Sequence, residues 1–236
     1  CRHDESVLPM KYRLILPGVI AAVLLFAACA PPPPLRDDTL LQDTSLTTTD
    51  SECTAPCWRG ITPGETTWGD AMTILEDDAT LENINVQEDD QSSAKAADFQ
   101  QKGGASCCQI ISNDGETVGV IFLRVAPTTT MGELLAAQGE PAYLVGSQYT
   151  DDQAVMNLIF PEKSLVAYAF VPGTTGSLTE DSEIVGILYL TPSDMDLLVK
   201  TSNLHTWDGY KSYEAYDTSE FDVTPSVTLT PTPEGG

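Results

Sequence analysis

The sequence predicts an α+β protein in which short helices pack on an antiparallel meander sheet as two tandem helix–sheet units. Three observations predict it. A Thr-Thr-x-Gly-acid pattern opens two amphipathic stretches, at Thr66-Thr67 and again at Thr129-Thr130. Each stretch is followed by β-branched runs. The links between these runs are too short for helical crossovers, so neighbouring strands must run antiparallel.

The N-terminus is built for export. The chain starts "CRHDESVLP", and residues 1–9 read as upstream sequence, with translation expected to begin at Met10. Lys11 and Arg13 precede an uncharged run from Leu14 to Ala28, which ends in the small pair Ala27-Ala28 before Cys29. A positive region, a short apolar region and small residues at the cut form a secretory signal. A spanning helix would need about 20 apolar residues, and Pro17 and Gly18 interrupt this run. Phe26-Ala27-Ala28-Cys29 resembles the lipobox of bacterial lipoproteins, in which the Cys is acylated and becomes the first mature residue. Phe26 stands where that motif usually has Leu. The resemblance implies lipidation at Cys29, and acyl chains contributing about 0.8 kcal/mol per buried CH₂ would retain a folded domain on a membrane face.

Residues 1–28 are therefore read as upstream residues plus signal peptide. The stretch 29–52, rich in Pro, Thr and Asp, is read as a lipidated disordered tether, because such a composition buries too little apolar surface to fold alone. The units are expected at 53–125 and 126–216, and 217–236 forms a second Thr/Pro-rich disordered segment.

In the first unit, Thr67 is an N-cap with Asp70 three residues on, and Trp68, Ala71, Met72 and Leu75 supply a helical stripe. Residues 94–101 read as another short helix. "CQIISNDGETVGVIFLRV" then gives two strands around a turn at Asn113-Asp114-Gly115. In the second unit Thr130 caps a helix carrying Met131, Leu134 and Leu135. Glu133 suits the capping box better than Asp70 does, and Gly139 with Pro141 ends the helix. "AYLVGSQ", "AVMNLIF", "SLVAYAFV" and "EIVGILYL" follow as strands, the middle pair turned by Pro161-Glu162-Lys163. A last helix spans 193–201, capped by Ser193 and carrying Met195, Leu197, Leu198 and Val199.

The segments "PGETTWGDAMTIL" and "TTTMGELLAAQGEP" resemble the helix-opening motif of small envelope lipoproteins of the BamE (SmpA/OmlA) type, also found in the tandem units of the β-lactamase inhibitor protein fold. Gly64, Thr66 and Thr67 match its opening turn in the first unit, and Gly139 and Pro141 match its Gly-x-Pro ending in the second. Asp77-Asp78 and Thr128 depart from the pattern. The resemblance implies a non-enzymatic protein-interaction module.

Charge narrows the partners. Lys and Arg number 11 against 35 Asp and Glu, a net charge of −24. That field repels nucleic acid and disfavours phosphate binding. Once Cys1 and Cys29 are set aside, Cys53, Cys57, Cys107 and Cys108 remain as disulfide candidates in an exported chain. A bridge from the first pair to the second would close a loop of roughly 50 residues and contribute about 4 kcal/mol. In a regular strand Cys107 and Cys108 face opposite sides, so both reach the first pair only at a bend or bulge.

Chemistry is sparse. No nucleophile elbow, phosphate loop or zinc-protease motif occurs. His205 is the one histidine beyond the signal region and has no evident nucleophile beside it. No catalytic residue, metal ligand or cofactor is assigned. Trp207, Tyr210 and Tyr213 stand out as binding aromatics, since Trp and Tyr dominate interface hot spots. The expectation is a lipid-anchored protein of the cell membrane or outer membrane, on the extracytoplasmic face, binding an envelope protein. Two alternatives stay open: a thiol- or metal-handling protein using Cys53 and Cys57, and an envelope hydrolase.

Overall fold

The computed structural model describes residues 34–48 and 53–216; the signal run, Cys29 and the segment 217–236 lie outside the described residues. Helices are α1 (Trp68–Asp77), α2 (Met131–Gln138) and α3 (Pro192–Thr201). Strands are β1 (Leu81–Glu88), β2 (Lys95–Gln101), β3 (Ser106–Ser112), β4 (Val120–Arg124), β5 (Tyr143–Gln148), β6 (Ala154–Phe160), β7 (Leu165–Val171), β8 (Ile184–Leu190) and β9 (His205–Thr206). All nine join one antiparallel sheet in the order β1-β2-β3-β4-β8-β7-β6-β5-β9. The fold class is thus α+β, with strands outweighing helices.

Alternation along the strands separates two faces. Ile121 and Leu123 on β4, Ile187 and Tyr189 on β8, and Leu165 and Ala167 on β7 point into the main core, together with Trp68, Ala71 and Leu75 of α1 and Met131 and Leu134 of α2. This core runs without a break across the β4–β8 seam. The residues between them, Val166, Leu188 and Leu190, join Ile159 and Met195 of α3 in a smaller cluster on the opposite face.

Both expected N-caps form. The Thr130 side chain accepts from Glu133 N–H at 3.3 Å while Glu133 Oε2 accepts from Thr130 N–H at 2.9 Å, a full capping box. Thr67 accepts from Asp70 N–H at 3.2 Å, but its hydroxyl also donates to Asp70 Oδ2, so the shorter Asp70 does not reach back to the cap backbone. The last helix begins earlier than expected. Thr191, not Ser193, accepts from Asp194 N–H, and Pro192 occupies the first helical position, where its missing N–H costs nothing.

Three other expectations are corrected. The stretch expected as a helix at 94–101 contains the strand Lys95–Gln101 instead: Ala97 and Phe99 are inserted into the core between β1 and β3, and that burial overrides the helical preference of Ala and Gln. The sequence reading placed no strand at β1, because a bulge near Asn83, whose φ is 56°, breaks the alternation. The bulge puts Leu81 and Ile84 on the core side together. The tether reading fails for its C-terminal part, since Leu40, Leu41 and Leu46 are buried. Leu41 bridges in parallel to Val125, its carbonyl accepts from Ala126 N–H at 2.9 Å, and Asp43 accepts from Trp58 Nε1–H at 2.8 Å. Three leucines among polar residues are too few to show as a periodic element.

Candidate binding surface

The α3-bearing face of the sheet has three zones. At one end α3 covers Leu188, Leu190, Val166 and Ile159. Across β1–β3 the face is polar: Asp98 accepts from Gln87 Nε2 at 2.6 Å and from Gln109 Nε2 at 2.7 Å, forming a ladder across three strands. Between them, at the end of the strands away from α3, lies an apolar groove of about 250 Å³ with Phe122, Tyr168, Val155 and Val185 on its walls.

Register explains the groove. Asn157, Tyr168, Gly186 and Arg124 are cross-strand partners in one row over β6, β7, β8 and β4. Gly186 puts no side chain in that row, and the Tyr168 ring packs over it, since a Cβ there would lie 3.1 Å from that ring. The Tyr168 ring meets Phe122 edge-on, with centroids 6.1 Å apart. Arg124 stands at one end of the row. At the other, Ser147 Oγ accepts from Asn157 Nδ2 at 2.8 Å, while the buried Asn157 Oδ1 has no partner among the described residues. Tyr149, 43 % exposed, forms part of the rim.

The aromatics singled out from the sequence lie elsewhere, in the 205–216 segment that closes the β5 edge. Tyr213 is 2 % exposed, so it is a core residue and not a contact surface. Its ring lies against Gly146, where a Cβ would come within 2.6 Å of it. Trp207 packs partly buried against the main core and meets Tyr210 edge-on at 5.7 Å. Of the three, Tyr210 presents itself most to solvent. Burial, with Glu180 and Glu140 adding to it, pushes the Tyr210 phenol above its usual range. Asp208, held below the usual carboxylate range by its hydrogen bond to Lys211, ties this segment together, and Tyr216 Oη–H donates to Gly209 C=O at 3.0 Å. His205 pairs with Leu144 and meets Tyr216 edge-on at 5.9 Å; its Nε2 is buried with no partner among the described residues.

Of the three pairings that four cysteines allow, the structure has the local one, not the long-range bridge considered from the sequence. Cys53 pairs with Cys57, and Cys107 with Cys108. The register shift between Phe99 and Gln100 makes Cys107 the extra residue on β3, and both β3 cysteines are buried in the main core. The anticipated bulge is present, but it brings the two sulfurs to each other. A loop as short as that of Cys53–Cys57 contributes about 2 kcal/mol in the chain-entropy model, half the value for the long bridge. While bridged, neither pair offers thiolates, and among the described residues no group of three His, Cys, Asp or Glu side chains could hold a metal. Among the described residues no helix is long and apolar enough to cross a membrane. Nothing in the sequence flagged the groove residues, because Phe122 and Arg124, Tyr168, and Gly186 sit on three different strands and meet only through register. Comparison with protein-family models, with curated protein sequences and with solved structures yields no match for this chain.

Proposed function

We propose that the chain is a lipid-anchored, extracytoplasmic lipoprotein of the cell membrane or outer membrane. In this reading it is a non-catalytic binding or envelope-assembly module, acylated at Cys29 and built from two tandem helix–sheet units like those of the BamE and β-lactamase-inhibitor group. The observation that carries the binding role is the partly open sheet face, where an apolar groove at the strand ends away from α3 lies next to a polar ladder. A concave apolar site with a few convergent polar groups is the usual form of a recognition site. The acidic field turns nucleic acid away, which leaves proteins and small organic groups as partners.

The local wiring supports the tandem reading. At the start of α1, Trp68 N–H donates to Glu116 C=O at 2.8 Å and Val118 N–H to Thr66 C=O at 3.0 Å. At the start of α2, Met131 N–H donates to Ser182 C=O at 2.7 Å and Ile184 N–H to Thr129 C=O at 2.8 Å. Each helix start is thus laced to the segment that leads into the last strand of its own unit. Four residues beyond Val118 and Ile184 stand Phe122 and Leu188, which lie directly opposite each other in the β4–β8 pair. Equivalent residues that face one another across an antiparallel seam mark a local two-fold axis.

The anchoring half is tested by fractionating cells that produce the full chain or its Cys29→Ala variant. The full chain is expected in membranes and the variant in the soluble extracytoplasmic fraction; a variant that stays firmly membrane-bound would refute lipid anchoring. The binding half is tested with a photo-crosslinking residue at Tyr149 in intact cells. One defined adduct that is absent when the probe is at Leu197, an exposed position on α3, is expected. Identical adducts from both positions would count against the groove face as the binding surface.

A further inference from the structure

We propose that the groove at the strand ends is the seat of the chain's own segment after Tyr216, with the Phe221 ring against Val155, Tyr168 and Phe122, so that a partner reaches the groove only by displacing it. This deepens the binding reading above and rests on it for taking this groove as the recognition site. Place sets the occupant. The described residues enter and leave beside the groove. Leu35 lines it, with its N–H donating to Gln153 Oε1 at 2.7 Å, and Tyr216 C=O accepts from Gly146 N–H at 2.8 Å, next in the chain to Ser147 of the lining.

Chemistry selects the side chain. A volume of about 250 Å³ falls below the usual range for cofactors and drug-sized molecules and suits one large apolar side chain. Beyond Cys29, the stretches outside the described fold offer few. Residues 30–33 are Ala and Pro, 49–52 are Thr, Asp, Ser and Glu, and in 217–236 Phe221 is the one aromatic. Seating it removes the ring and the groove walls from water together. Arg124 and Tyr168 have interactions of their own, so the seat takes a ring by shape and apolar contact and calls on no salt bridge. The lining includes no carboxylate, so Glu220 and Asp222 on either side of Phe221 meet no like charge in it. A second copy of a chain with net charge −24 is a poorer occupant, because the two would repel.

Reach fits the distance. Ala142 C=O accepts from Trp207 N–H at 3.1 Å on the β9 side of β5, and Gly146 N–H, four residues on, points to the same side. Tyr216 therefore lies one inter-strand step outside β5, and Tyr168 on β7 is three steps from it, about 14 Å. The five residues from Tyr216 to Phe221 span up to about 17 Å when extended. The four residues between them, Asp217, Thr218, Ser219 and Glu220, are polar, as a crossing over a solvated edge requires.

The test is photo-crosslinking in the purified full chain with benzoylphenylalanine in place of Tyr149, read by peptide mapping. An intramolecular adduct on the peptide that contains Phe221 is expected, with a yield that does not change on dilution. Phe221→Leu should keep most of it, and Phe221→Ser should lower the ratio of docked to free segment by about ten-fold or more, as loss of one buried aromatic side chain implies. In cells, Phe221→Ser should raise the yield of the partner adduct at Tyr149. The proposal is overturned by the absence of an intramolecular adduct, by an adduct on residues 30–33 in its place, by a yield that grows with protein concentration and so marks a second copy, or by a yield that Phe221→Ser leaves unchanged. A partner adduct in cells with no intramolecular adduct in the purified chain would leave the binding reading standing and remove only this occupant. The intramolecular adduct with no partner adduct in cells, for the full chain and Phe221→Ser alike, would keep the occupant and remove the binding reading.

Discussion

Replacing Leu41 by Ala tests whether the residues before Cys53 belong to the fold. The Leu41 side chain is 0 % exposed and its backbone is bonded to β4's extension at Val125 and Ala126. Removing three carbon atoms forfeits about 2.4 kcal/mol of transfer free energy at about 0.8 kcal/mol each. The cavity left between a fixed strand and the core adds to that, which places the loss near 3 kcal/mol within the 2–5 kcal/mol typical of buried Leu→Ala changes. For a domain of this size 1 kcal/mol shifts the melting temperature by about 2–4 °C, so a drop of about 6–12 °C is expected. Urea unfolding at neutral pH should show a lower midpoint with an unchanged slope. Leu197→Ala, at a side chain that is 59 % exposed, serves as the control and should change stability by less than about 0.5 kcal/mol. If Leu41→Ala behaved like Leu197→Ala, the segment would be a tether after all, and the packing argument would be wrong.

Thr130→Ala should cost about 1–2 kcal/mol in urea unfolding and Thr67→Ala less, because only Thr130 and Glu133 satisfy each other reciprocally. Burial, more than Asp43 nearby, pushes the Tyr189 phenol well above the usual tyrosine range. The folded state therefore keeps a proton that the unfolded state releases, and stability should fall as pH rises beyond about 10, a loss that Tyr189→Phe removes. Asp114 is held low by the N–H groups of Thr117 and Glu116 and by the Ser112 hydroxyl. Its contribution is complete above the unfolded carboxylate range and is lost as pH falls below about 4 toward its depressed folded value, so Asp114→Asn should flatten the acid limb of the stability profile. Peptide mapping without reduction should recover Cys53 linked to Cys57 and no peptide that joins this pair to Cys107 or Cys108.

What the sequence determined by itself is the local part of the fold. Two threonine caps, the stripes of Trp68, Ala71 and Leu75 and of Met131 and Leu134, and the β-branched runs from Tyr143 to Leu190 are set by neighbours a few residues apart, and short links force those strands antiparallel. The α+β class follows from them. Tertiary structure alone decided the rest, because each outcome depends on a partner distant in the chain. Ala97 and Phe99 became strand residues since β1 and β3 flank them. Leu40 and Leu41 became core since Val125 and Ala126 offer an edge. Cys107 and Cys108 pair with each other because a bulge on β3 removed the separation that alternation would impose. The groove is the clearest case: Phe122, Tyr168, Gly186 and Arg124 carry no shared motif, and only the registers of β4, β8 and β7 bring an aromatic pair, a glycine floor and a cation to one place.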